Sequence, residues 1–114
     1  MVVVWSISAK SDLKNAFNYI AIDSRKNAEI VRDTLITLTI DLANNPEKHP
    51  LDKFKTKNDR IWRAFEKYQY RISYRVLEHQ IRIVRMRIQA SLRLNFNRSQ
   101  KAFLVFHNSL NQNL

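Results

Sequence analysis

Five arginines (Arg71, Arg75, Arg82, Arg85 and Arg87) are threaded through "YQYRISYRVLEHQIRIVRMR", residues 68–87, where apolar and polar residues alternate. Successive side chains of a strand point to opposite faces, so Tyr70, Ile72, Tyr74 and Val76 share one face and Arg71, Ser73 and Arg75 the other. Along 81–88 the parities are less distinct. Ile81, Ile83, Arg85 and Arg87 fall on one side, and Arg82, Val84, Met86 and Ile88 on the other. We place Val84, Met86 and Ile88 inward and Arg85 and Arg87 beside Arg71 and Arg75, with a bulge as the device that would shift the register. An open sheet face dense in guanidinium groups suits phosphate or carboxylate ligands, because arginine presents planar paired donors and stays charged at physiological pH. Edge-strand charges also serve to keep sheets from pairing between molecules. Five arginines exceed that need, and the preceding stretch adds Lys53, Lys55, Lys57, Arg60 and Arg63.

Other chemistry is scarce. Cysteine is absent, which removes thiol catalysis, disulfides and cysteine-based zinc sites. Glycine is absent too, where an average chain of this length carries about eight. A glycine-rich phosphate loop and a dinucleotide fingerprint are thereby excluded. His49, His79 and His107 sit in a loop, a turn and the tail, without metal-ligand spacing, and read as exposed polar residues. No cofactor or metal is expected. Trp62 and Tyr68 are candidates for stacking on bases, though aromatics of this size more often belong to a core.

Twenty Lys and Arg against ten Asp and Glu give a net charge of +10, which suggests an anionic partner such as nucleic acid, a ribosome, an acidic peptide or a membrane surface. A 45% apolar content argues against a disordered basic tail. The start lacks a basic stretch before its apolar run, and no segment approaches the roughly 18 to 20 apolar residues of a membrane span. A cytoplasmic protein, neither secreted nor membrane-embedded, is the expectation.

The elements that must position the arginines follow from periodicity. Residues 2–7 are β-branched and aromatic, a strand by composition. Ser11 is placed to cap a first helix, with Asp12 in its first turn and Leu13, Ala16, Phe17 and Ile20 on one stripe. Ser24 caps a second, over which Ala28, Val31, Leu35, Leu38 and Leu42 recur to about residue 43. Both prolines and many lysines make 44–59 a loop. Strands are predicted at 60–65, 70–77 and 80–88, with Glu78 and His79 at a tight turn where one residue takes positive φ. The result is an α+β fold: an N-terminal strand and an antiparallel two-helix hairpin on one face of a curved antiparallel sheet of about four strands. Residues 1–92 form the domain. Residues 93–114 are an extension for which a strand, a short helix and a loose tail all stay open.

The frame W-S-x-x-A-x-x-D-L at Trp5 to Leu13, "YIAIDSRKNAEIV" from Tyr19, "LANNPEKHP" from Leu42, "WRAFE" at Trp62 and "YRISYRV" followed by "IRIVRMR" resembles the RelE/ParE family of bacterial toxins. It spans about the first 88 residues, and its order and spacing carry the resemblance. What it implies is the toxin of a type II toxin–antitoxin, or plasmid-stabilisation, system that inhibits growth until a cognate antitoxin wraps around it. A homodimer or a heterotetramer with the antitoxin fits that picture. RelE-like members cleave mRNA in the ribosomal A site. ParE-like members poison DNA gyrase.

Carried over residue by residue, the catalytic arginine of the RelE-like strand matches Arg71. Arg85 would add charge, and Tyr74 or one of Lys53, Lys55 and Lys57 a proton donor. Many relatives end the last strand with a histidine and an arginine where this chain has Ile88 and Ser91. Cleavage of RNA by its own 2′-hydroxyl needs a proton acceptor as well as positive charge, and no convincing base is left. The ParE-like, non-cleaving branch is therefore favoured. The alternatives are a ribosome-dependent endoribonuclease and a non-toxic basic module that binds nucleic acid or peptide. On either reading the partner-binding residues are Lys53, Lys55, Lys57, Arg60, Arg71, Arg75, Arg85 and Arg87.

Overall fold

The computed structural model describes residues 1–89, so Ser91, His107 and the 93–114 extension lie outside the described residues. The chain runs β1 (Val2–Trp5), α1 (Ile7–Ala21), α2 (Arg25–Asp41), β2 (Trp62–Lys67), β3 (Tyr70–Val76) and β4 (Gln80–Ile88). The predicted architecture holds, with a helical hairpin on one face of a four-stranded sheet ordered β1-β4-β3-β2. One feature differs from an all-antiparallel sheet. The β2–β3–β4 meander is antiparallel, but β1 joins β4 in parallel, pairing Val2 with Gln80 through Trp5 with Ile83. Parallel strands need a long crossover between them, and the two helices supply it.

The first helix begins earlier than Ser11. Ser6 is its N-cap, accepting from the Ala9 N–H at 3.0 Å while donating to Val84 O at 2.8 Å. Ala9 is fully buried, so the apolar stripe starts there; a single alanine among polar neighbours concealed it. The second helix is capped at Ser24 as expected, its hydroxyl accepting from Asn27 N–H at 3.1 Å. Residues 22–24 alone connect the helices, which folds them back on one another.

The bulge lies in β4. Ser73 pairs with Arg85 but Tyr74 with Ile83, leaving Val84 as the extra residue. Ile81, Ile83 and Met86 consequently all face the core, and Val84 does not. The Ser6 hydroxyl satisfies the bulged carbonyl, tying the helix cap to the register shift. With Ile20, Val31, Leu35, Leu42, Ile72 and Tyr74 these residues form the core. Positive φ occurs not at Glu78 or His79 but at Tyr68 and Gln69, at 52° and 69°. The two-residue loop between Lys67 and Tyr70 demands a turn of that hand. With no glycine available, each residue adopts it at a cost of about 1 kcal/mol or more.

Candidate functional site

Register defines the face of the sheet that no element among the described residues covers. Arg71 pairs across the strands with Arg87 and Glu66, Ser73 with Arg85 and Ala64, and Arg75 with Arg82 and Trp62. Directly opposed residues share a face, so the arginines do cluster, and the bulge adds Arg82 to them despite its opposite parity. The missed signal lay in β4 itself. An inward Ile81–Ile83 pair followed by an inward Met86 requires one inserted residue, and that insertion turns Arg82 outward.

The two arginines named for the RelE-like reaction, Arg71 from the resemblance and Arg85 for its charge, are both held by internal carboxylates. Arg71 donates from Nη2 to Asp52 Oδ1 at 2.8 Å and from Nη1 to Glu66 Oε1 at 3.0 Å. The side chains of Arg71 and Asp52 are only 18% and 4% exposed. The Asp52 carboxylate also accepts from Phe54 N–H at 3.0 Å, which brings the Phe54 ring to 4.6 Å from the Arg71 guanidinium. Arg85 reaches round the edge of β4 to grip Asp12 in α1 through two hydrogen bonds of 2.8 and 3.1 Å. Asp12 accepts the Met86 N–H as well, at 3.0 Å, which leaves that strand-edge donor satisfied. Asp12 was read only as a first-turn residue of the first helix, and Asp52 and Glu66 were not singled out in the sequence. Glu66 was recoverable from the hairpin register, whereas Asp12 and Asp52 come from distant segments.

The other predicted residues divide. Arg82 and Arg87 are exposed and have no partner among the described residues, while Arg75 is half-buried beside Trp62 with its Nε lacking an acceptor. Lys55 lies over the Trp62 ring at 4.1 Å and Lys53 over Phe54 at 5.2 Å. A cleft of about 460 Å³ lies between Asp52, Phe54, Lys55, Arg71, Arg85 and Arg87. Lys57 and Arg60 are exposed in the loop with left-handed φ of 54° and 74°. Tyr74 is 0% exposed on the opposite, core face, its hydroxyl donating to Pro46 O at 3.0 Å. It is not brought to the arginines. Arg63 also turns inward: it is buried, donating from Nη1 to His49 O at 2.7 Å, and adds nothing to the open face. Trp62 is half-buried and Tyr68 is part of the core.

His49 is not an exposed loop residue. Its ring stacks on Phe65 at a 4.7 Å centroid distance and meets Tyr74 edge-on at 6.4 Å. Burial, with the Lys48 charge alongside, pushes the imidazole below its ordinary value of 6.5. The folded chain therefore keeps it neutral where the unfolded chain takes up a proton, and stability falls as the pH drops through 6.5 towards the folded value. A second loss belongs to Asp52. Burial raises its carboxyl, but the Arg71 hydrogen bond, the Phe54 N–H and the charges of Arg71 and Lys55 outweigh that and hold it below 3.8. Its contribution is complete above 3.8 and disappears as the pH falls through the lower folded value. Urea midpoints measured from pH 8 to pH 2.5 should show both losses, and His49→Phe should remove only the first. A variant with an unchanged profile would contradict the assignment.

A second concavity, of about 720 Å³, lies along α1, α2 and β1. Val3, Trp5, Leu13, Phe17 and Ile36 line it, and Lys10, Lys14 and Arg32 stand at its rim. The Arg32 guanidinium lies over Phe17 at 5.1 Å. Trp5 is fixed by donation from Nε1 to Thr39 Oγ1 at 3.2 Å. No helix among the described residues is long and apolar enough to cross a membrane.

A helical hairpin on an open four-stranded sheet, with a basic outer face and an apolar groove on the helical side, defines a small α+β domain. Residues 3–92 match the family described as the ParE toxin of the type II toxin–antitoxin system, parDE, and the chain belongs to that family. Among solved structures it is similar to a chain of the chromosomal ParDE toxin–antitoxin system from P. aeruginosa, at 17% identity and a TM-score of 0.63, over 78% of this chain and 97% of that one. A YoeB/ParE toxin from Agrobacterium tumefaciens is similar at 18% identity and a TM-score of 0.46, over 78% of this chain and 99% of that one. No curated protein matches.

Proposed function

We propose that this chain is a toxin that inhibits DNA gyrase by binding it, without cleaving RNA. The observation that carries the reading is the commitment of Arg71 and Arg85 to Asp52, Glu66 and Asp12. A cleavage site needs positive charge free to meet a pentavalent phosphate and a group to take the 2′-hydroxyl proton. Here the carboxylates already neutralise the two arginines. Tyr74 is sealed in the core, and His49 packs between the inward Phe65 and Tyr74. Lys53 and Lys55 lie over the Phe54 and Trp62 rings at 5.2 and 4.1 Å.

Its partner on this reading is a cognate antitoxin. The groove between α1, α2 and β1 supports this: its apolar floor and cationic rim fit the apolar and acidic faces of an amphipathic helix. Purified protein should block supercoiling of relaxed plasmid by gyrase. A cognate antitoxin should restore supercoiling, and Phe17→Glu should abolish the restoration but not the inhibition. Full supercoiling in the presence of excess toxin would reject the gyrase reading. RelE-like cleavage would appear instead as A-site cuts in mRNA.

A further inference from the structure

We infer that the open sheet face contacts the sugar–phosphate backbone of duplex DNA through Arg75, Arg82 and Arg87, and not through Arg71 or Arg85. The cations of this face divide by partner. Arg71 is met by two carboxylates and Arg85 by both oxygens of Asp12. Arg82 and Arg87 are exposed without any partner among the described residues, and Arg75 has an aromatic ring at 5.2 Å and a buried Nε with no acceptor.

Arg75 and Arg82 lie directly opposite each other, which is unfavourable for like charges on one face of a sheet. Arg82 is flanked on its other side by Val4 of β1, so no carboxylate relieves it there. The Val84 bulge is what points Arg82 and Arg87 the same way. An external polyanion would offset the repulsion that the chain leaves in place, and the net charge of +10 adds attraction at longer range.

Two features favour a duplex over other anions. Single strands are held largely by bases stacking on bare aromatic rings. Here Phe54 already carries Arg71 and Lys53, Trp62 carries Lys55 and Arg75, and Tyr68 is buried. Protein partners need desolvated apolar anchors, and the chain's large apolar groove runs along α1, α2 and β1 instead. Guanidinium groups standing on a pleated, uncovered sheet suit phosphates that need no opened base pair.

Fluorescence anisotropy of a labelled random-sequence duplex of about 20 base pairs, titrated with the full chain from about 50 to 200 mM salt, tests this. Each phosphate contact contributes about 0.9 to the slope of log affinity against log salt, or a roughly 3.5-fold loss across that range. Arg82→Ala with Arg87→Ala should lower the slope by about 1.8 without lowering the melting temperature, since both side chains are exposed and Arg82 only repels Arg75. Arg25→Ala with Lys26→Ala removes equal charge from the second helix and should leave the slope unchanged. Equal losses from both pairs would reduce the effect to diffuse charge and overturn the inference. So would absence of binding at about 50 mM salt, or equal affinity for a single strand of the same length or a polyglutamate peptide. Gyrase is not in this assay, so the inference and the gyrase reading can each fail alone.

Discussion

Arg71→Ala is expected to lower the folding stability by about 3 to 5 kcal/mol, the largest loss from any charged residue of the open sheet face. The reason is burial. The Asp52 side chain is 4% exposed and has the Arg71 guanidinium at 2.8 Å, so removing the arginine leaves a carboxylate in the interior with the Phe54 N–H and the Lys55 charge as its remaining support. The loop that Asp52 anchors should loosen with it, because Asp52 N–H donates to Trp62 O and Lys55 N–H to Asp52 O. Adding Asp52→Asn should return part of the loss, since the orphaned charge goes with it. Urea denaturation of the two single variants and the double measures the coupling. A loss below about 1 kcal/mol, together with a loss of toxicity, would mean that Arg71 is free to meet a ligand and that the pairing is incidental.

Tyr74 gives the second large effect. Its side chain is fully buried against Phe65 and His49, and truncation to alanine should cost about 3 to 5 kcal/mol, as for other large aromatics in a core. Tyr74→Phe removes only the hydroxyl that donates to Pro46 O, for a loss of about 1 kcal/mol. The Phe variant therefore separates packing from chemistry. Toxicity should survive it unchanged. If Tyr74→Phe folds as stably as expected and yet abolishes activity, the hydroxyl has a chemical role that its position on the core face does not provide.

Much of this arrangement was legible in the residues. Ser24 was read as the second cap, and the span of β4 and the start of β3 followed from alternation, because these segments carry their own periodicity and punctuation. The family resemblance rested on the order of such segments, and the match over residues 3–92 agrees with it. What could not be read depends on contacts between segments. Ser6 outcompetes Ser11 as the cap because its hydroxyl also meets the bulged carbonyl of Val84, 78 residues away. The parallel pairing of β1 is decided by where two helices deliver the chain. The turn with positive φ fell at Tyr68 and Gln69, two residues with no turn signature, because strand length and register left only two positions for the loop.

The site was half visible for the same reason. Alternation placed Arg71, Arg75, Arg85 and Arg87 on one face, and the structure keeps them there. Their availability was not visible, since Asp52 and Asp12, which hold Arg71 and Arg85, lie 19 and 73 residues away along the chain. Charge counted along a sequence gives the sign of the field; which cations are neutralised is a property of packing.

The most direct measurement of whether those two arginines have been withdrawn from chemistry is a map of mRNA 5′ ends in cells shortly after the protein is induced, with plasmid topology read from the same culture. Relaxed or damaged plasmid with no new ends inside ribosomal A sites is the predicted result. Codon-phased cuts that vanish in a stably folded Arg85→Lys variant would contradict it, because they would require Arg85 to leave Asp12 and act on phosphate.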